Sequence, residues 1–274
     1  MYNTKLIISG NHVEIYKMYN YHVREGKRSK AEIKLNKHEK EIDAEYWGTS
    51  ENKENNISQY EKECNRLKSR NRAKNKILRL VRANNDMCTF ITLTFKEVPE
   101  ITKAKTYLNK FFTKIRKDIK HFKYLWVLEL GDKNKRLHFH VVCNYPIKIK
   151  LNSSNEKKSD EHKRLEREFA AKYWQYGIVD IRNFAEADNN NIALYVSAYL
   201  VKSLQNVELN GMRVFGYSYK TLNKPVEITY LSLTENLEDI VGNLSDYRIK
   251  FSNNYDIGYE GCRGHVLYLD MIKK

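Results

Sequence analysis

A chain of 274 residues is long enough for one large domain, or a domain with an appendage, and can bury a sizeable core. Its formal net charge is +15 and it carries 20 tyrosines, which suits a polyanion that offers bases for stacking, although a lysine-rich solvated surface would carry the same charge. No apolar run is long enough to span a bilayer, the start "MYNTKLIISGNHVEIY" lacks the apolar core and cleavage site of a signal peptide, and Cys64, Cys88, Cys143 and Cys262 form no CxxC pair, so the expectation is a reduced, cytoplasmic protein without a zinc finger.

In chain order, residues 1–20 read as a strand or hairpin broken at Gly10-Asn11. Residues 22–57 are polar, charged and poor in large apolar side chains, and read as a mobile or loosely packed segment. A basic helix follows, with capping-box spacing at Ser58 and Glu61 and stops at Asn84 and Asn85. Tyr60, Cys64, Leu67, Leu78 and Val81 would line one side, and its many lysines and arginines would meet either solvent or DNA phosphate.

"MCTFITLTF" (87–95) is short, β-branched and alternating, so it reads as a strand. Ala104, Leu108, Phe111, Phe112, Ile115 and Ile119 then recur at helical spacing. "KYLWVLEL" (123–130) and "RLHFHVVCNY" (136–145) read as two strands joined by the polar turn "GDKNK", with Cys88 and Cys143 as small core residues and 146–160 as a polar loop. "DEHKRLEREFAAKYWQYG" is a helix capped by Ser159 and ended by Gly177, "IVDIRNF" (178–184) a strand, and "DNNNIALYVSAYLVKSLQN" a helix opened by Asp188 or an Asn. "RVFGYSY", "PVEITYLSL" and "GHVLYLDMI" suggest further strands. Helices and strands mix without strict βαβ alternation, so the fold class is α+β with a central, largely antiparallel sheet flanked by helices.

Two stretches carry chemistry. In "RLHFHVV" (136–142) the period of two puts His138 and His140 on one face and Leu137, Phe139, Val141 and Cys143 on the other. If the turn is centred on Lys133 and Asn134, Glu129 lies opposite His138 and shares its face. One carboxylate and two imidazoles leave open positions, as in a catalytic metal site; Mg2+ or Mn2+ suits the carboxylate and a phosphate, although imidazole also suits zinc. The bland alternative is a pair of partly exposed histidines. In "YVSAYLVK", Tyr195, Tyr199 and Lys202 fall on one helical stripe. Amphipathic packing explains two tyrosines, but a buried apolar stripe does not normally end in lysine. A tyrosine can attack a phosphodiester, and a lysine can steady charge or position the nucleophile.

Together these residues resemble the HUH endonucleases, and more narrowly the rolling-circle replication initiator (Rep) proteins of bacterial plasmids and single-stranded DNA phages. "FITLTF" resembles the first motif strand, "RLHFHVV" matches the histidine–hydrophobic–histidine motif with Glu129 upstream as the acidic ligand, and "YVSAYLVK" resembles the tyrosine motif. "YWQYGIVDI" and "RVFGYSYKTLNKP" resemble further segments, so the likeness covers about residues 86–230. The resemblance implies a ferredoxin-like or RRM-like core and a divalent metal held by His138, His140 and Glu129. It also implies nicking of one origin strand through a 5′ phosphotyrosine, with a free 3′ hydroxyl to prime synthesis. Tyr199, with Lys202 three positions on, matches the family's nucleophile; Tyr195 has Ala198 there instead and is the candidate second nucleophile or a packing residue.

The expected organisation is an N-terminal extension (1–85), a catalytic domain (86–230) and C-terminal strands completing or capping the core (231–274). The expected partners are origin DNA, as single-stranded or hairpin nick site and double-stranded recognition site, with a host helicase and DNA polymerase, since no GxxxxGKS/T loop occurs. No membrane partner is expected, and the compartment is the cytoplasm of a bacterial host. The alternatives are a non-catalytic DNA-binding copy-control regulator and an HUH transposase or relaxase.

Overall fold

The computed structural model describes residues 1–20, 22–23, 59–131, 135–151, 156–184, 189–209, 211–233, 239, 244–259 and 262–274. All but the start of the polar segment 22–57, the cap expected at Ser58, the turn centre Lys133–Asn134 and the helix opener Asp188 lie outside the described residues. Within them the chain is α+β, as the mixed periodicity predicts. Four α-helices, α1 (Gln59–Arg82), α2 (Ile101–Asp118), α3 (Asp160–Tyr173) and α4 (Asn189–Gln205), accompany ten strands. The strands divide between two five-stranded sheets. Among the described residues no helix is long and apolar enough to cross a membrane.

One sheet has the order β8-β1-β2-β10-β9. It contains β1 (Thr4–Ser9) and β2 (His12–Tyr19), joined at Gly10 in the left-handed region, with β8 (Val226–Tyr230), β9 (Tyr247–Tyr259) and β10 (Cys262–Lys273). The other has the order β6-β3-β5-β4-β7, with β3 (Thr89–Phe95), β4 (Tyr124–Leu130), β5 (Leu137–Cys143), β6 (Gly177–Asn183) and β7 (Phe215–Tyr217). The chain forms two compact units, Met1–Ile7 with Glu14–Ser69 and Glu227–Lys274, and Ile8–Val13 with Arg70–Val226.

In the first unit β9 and β10 form a long antiparallel hairpin with a bulge between Asp270 and Met271. Pattern reading does not find β9: "SNN" interrupts its apolar alternation, and its side chains are mostly exposed, so pairing along β10 rather than burial defines it. The basic helix α1 also differs from expectation. Leu67 is exposed, and only the last turns, through Ile77, Leu80 and Val81, join a core. The earlier turns carry too few large apolar side chains to bury a continuous stripe.

The second unit positions the functional residues. All four ladders of its sheet are antiparallel. One face carries Ile91, Leu93, Phe95, Phe139 and Val141, all buried, and α2 and α3 cover it through Leu108, Phe111, Phe112, Ile115 and Phe169. Ser159 caps α3 as expected, its hydroxyl accepting the His162 N–H at 3.2 Å. The expected stop at Gly177 is corrected: α3 ends at Tyr173, with Trp174 as its C-cap, and Gly177 opens β6. Trp174 is wholly buried and donates its indole N–H to the Thr94 carbonyl at 3.2 Å. A Cβ on Gly177 would stand 2.1 Å from that same carbonyl oxygen, so the glycine serves close strand approach, not helix termination.

Candidate active site

The register of the second sheet gathers the functional face. Glu129 pairs directly with His138, the pairing that the turn count predicts, and Val127 with His140. Thr94 pairs with His138 and Thr92 with His140 on one side of β3; Ile178 and Asp180 pair with Thr94 and Thr92 on the other. Opposed residues share a face. Glu129, His138, His140, Thr92, Thr94, Ile178 and Asp180 therefore look the same way, opposite the face that α2 and α3 cover.

Helix α4 packs on β4 and β5 from this side. Its long-range anchor is Ser203, whose hydroxyl donates to the Leu128 carbonyl, while Ile192, Ala193, Val196 and Leu200 are buried. The Tyr195–Tyr199–Lys202 stripe thereby meets the histidine face, which the sequence alone leaves open. Tyr199 stacks on His140 with ring centroids 3.8 Å apart. Its hydroxyl lies 2.8 Å from that of Tyr195, which is 43% exposed and packs edge-on to Phe90. The cavity so formed has a volume of about 640 Å3, with Asp180, Arg182 and Phe184 along its β6 side.

Glu129 is the hub. Its buried carboxylate accepts from His140 Nε2 at 2.6 Å through one oxygen and from Lys202 Nζ at 2.6 Å through the other. The hydrogen bond from His140, reinforced by Lys202 against the cost of burial, lowers its pKa to about 2, so it is ionised throughout the neutral range. His138 has its Nδ1 2.9 Å from the Thr94 hydroxyl and His140 its Nδ1 3.2 Å from the Thr92 hydroxyl. Burial lowers the pKa of His138, helped by the nearby His140 and opposed by Glu129, which favours the neutral imidazole that can coordinate. Burial pushes the Tyr199 phenol above its ordinary range; the hydrogen bond with Tyr195 and the charges of Glu129 and Asp180 add to it.

The sequence places Lys202 beside the tyrosine or the developing charge; in the structure its ammonium lies on Glu129 instead. Among the described residues no three His, Cys, Asp or Glu side chains stand as a group that could hold a metal ion. Both Glu129 oxygens are engaged, and Lys202 supplies the positive charge that the carboxylate takes in this arrangement. The donor chemistry nonetheless fits a divalent ion: an ionised carboxylate beside two imidazoles, each with a threonine hydroxyl on Nδ1. A hydroxyl both donates and accepts, so Thr92 suits either His140 tautomer, the one that donates to Glu129 and the one with a free Nε2 lone pair.

Sequence reasoning missed Thr92, Thr94, Asp180 and Arg182. Alternation in "FITLTF" and "IVDIRNF" carries the signal, because each strand places polar residues on one face and buried apolar residues on the other. Asp180 is tied to Lys158 at 2.5 Å and to Arg182 at 3.0 Å, which hold it ionised although burial opposes this.

Residues 88–204 match the family of replication-associated proteins that takes in ORF2 and the gene 2 protein. The match starts just before β3 and ends in the last turn of α4, so Glu129, His138, His140, Tyr195, Tyr199 and Lys202 all fall inside it. Over this stretch the chain is similar to replication-associated proteins, and the expected likeness to replication proteins holds at that level. No curated protein and no solved structure matches the chain.

Proposed function

We propose that the chain is a rolling-circle replication initiator of the HUH type, which nicks one strand of origin DNA and later rejoins it. The observation that carries this reading is the docking of the α4 stripe on the histidine hairpin, with Tyr199 3.8 Å from His140 and Lys202 2.6 Å from Glu129. The whole constellation also lies within the stretch similar to replication-associated proteins.

In the proposed reaction the Tyr199 oxygen bonds to the phosphorus, the bond from phosphorus to the 3′ oxygen breaks, and a 5′ phosphotyrosine and a 3′ hydroxyl remain. The phenol proton leaves through the Tyr195 hydroxyl, which is 2.8 Å away and open to solvent, and the departing 3′ oxygen takes up a proton. His138, His140 and Glu129 would hold Mg2+ or Mn2+, which supplies positive charge to the phosphate oxygens. The threonines keep the imidazoles aimed, and the His140 ring orients the Tyr199 phenol by stacking. Origin DNA is the substrate, and a host helicase and DNA polymerase would act on the primed strand.

The test uses single-stranded oligonucleotides tiled across the encoding replicon, with Mn2+, and mass spectrometry to locate the adduct. The expected result is a covalent peptide containing Tyr199, abolished by Tyr199→Phe. If Tyr199→Phe still nicks and forms the adduct, the assignment of the nucleophile is wrong. DNA binding without cleavage across several metals would instead support a non-catalytic regulator.

A further inference from the structure

A second cavity, of about 800 Å3, opens in the same unit where β3 ends and β6 begins. Tyr107 of α2 and Tyr176 stack there with centroids 3.9 Å apart and planes 18° from parallel, and both rings are half-buried. Val98 and Ile178 beside them are 53% and 65% exposed. Lys96 and Lys103 line the rim, and Lys110 lies 5.9 Å from the Tyr107 ring; the one acidic lining residue is Glu97. The framework is firm: the Lys96 N–H donates to the Tyr176 carbonyl at 2.9 Å, and Phe95 and Trp174 beneath are buried. Large apolar side chains left exposed beside stacked rings and lysines have no role in the core.

The strands link this cavity to the catalytic one. Thr94, which holds His138, pairs with Ile178, so Ile178 shares the catalytic face with Asp180. Asp180 and Ile178 are two residues apart, about 7 Å along a strand, which is close to one nucleotide step. Phe95 and Gly177, the next residues, already line the second cavity.

We infer that this cavity is a second subsite for single-stranded DNA, taking a base of the flank that leaves the active site along β6. Tyr107 and Tyr176 offer a ring face to any base, Val98 and Ile178 cover its edge, and Lys96 and Lys103 meet the adjoining phosphates. The inference rests on the proposed reading of the active site and adds a contact outside it.

The experiment measures binding of fluorescein-labelled dT20 to the full chain by anisotropy, across a salt series. The Lys96→Gln/Lys103→Gln variant changes only exposed side chains, so its fold is not at risk. It should bind about tenfold more weakly at low salt, and its log–log salt slope should be shallower by about 1.4, two lost contacts at about 0.7 each. Tyr176→Ala should also weaken binding about tenfold with little change in slope. Photocrosslinking to iodouridine-substituted DNA should label Tyr107 or Tyr176. Unchanged affinity and slope in the lysine variant, or crosslinks confined to other segments, would overturn the subsite. If the wild-type chain does not bind dT20 at all, the active-site reading falls with it; if it binds and the variants match it, only the subsite falls. Displacement of a bound protein partner by these substitutions, without change in DNA binding, would also sink the inference.

Discussion

Glu129 concentrates the energetics of the site. It is a buried carboxylate with a donor on each oxygen, and such a group keeps its charge only while those donors remain. Lys202 therefore competes with any divalent ion for the same carboxylate. Lys202→Met should tighten Mn2+ binding about tenfold, equivalent to about 1.4 kcal/mol, as read by calorimetry on the DNA-free protein. Weaker or unchanged binding would show that Lys202 assists the ion instead. Thr94→Val keeps the side-chain shape and removes the hydroxyl from His138 Nδ1. It should cost about 1 kcal/mol in stability and at least about tenfold in Mn2+ affinity. Tyr199 sets the pH dependence. Its phenol pKa is raised, so at neutral pH the neutral form dominates, and the phenolate fraction grows about tenfold with each pH unit below that pKa. Adduct formation should accelerate by up to about tenfold per unit between about pH 7 and 9, and a flat profile would argue against phenolate attack.

At the scale of elements, the catalytic sheet depends on how closely β6 approaches β3. Gly177 permits it, and Gly177→Ala would drive a Cβ to 2.1 Å from the Thr94 carbonyl. The variant should lose about 3 kcal/mol in chemical denaturation, with disturbance reaching His138 through Thr94. Loss of under about 0.5 kcal/mol would show that β6 gives way freely. Element identity was largely legible in the chain. β3, β4, β5 and β6 follow from alternation, α2 from its apolar spacing, and the turn length fixes Glu129 opposite His138. Boundaries were less so. Trp174 is a core side chain that ends α3 by turning inward, and nothing in its local spacing distinguishes it from another helical residue. β9 was illegible because an exposed strand held by its ladder needs no apolar period.

At the scale of the whole molecule, the +15 charge makes affinity for any single-stranded DNA strongly salt-dependent. If about four or more phosphates are neutralised, the log–log slope for dT20 should be about −3 or steeper. A slope near zero would mean that the basic surface is solvated and does not touch DNA. By itself the sequence determined the α+β class, most elements, the shared face of His138 and His140 and the Tyr195–Tyr199–Lys202 stripe, because these follow from the strand and helix periods within short stretches. Tertiary structure decided which stretches meet. Lys202 and Glu129 are 73 residues apart, and Asn3 bonds to Ser232 across 229. Such contacts depend on which buried faces fit each other, a property of the packed chain that no local period encodes.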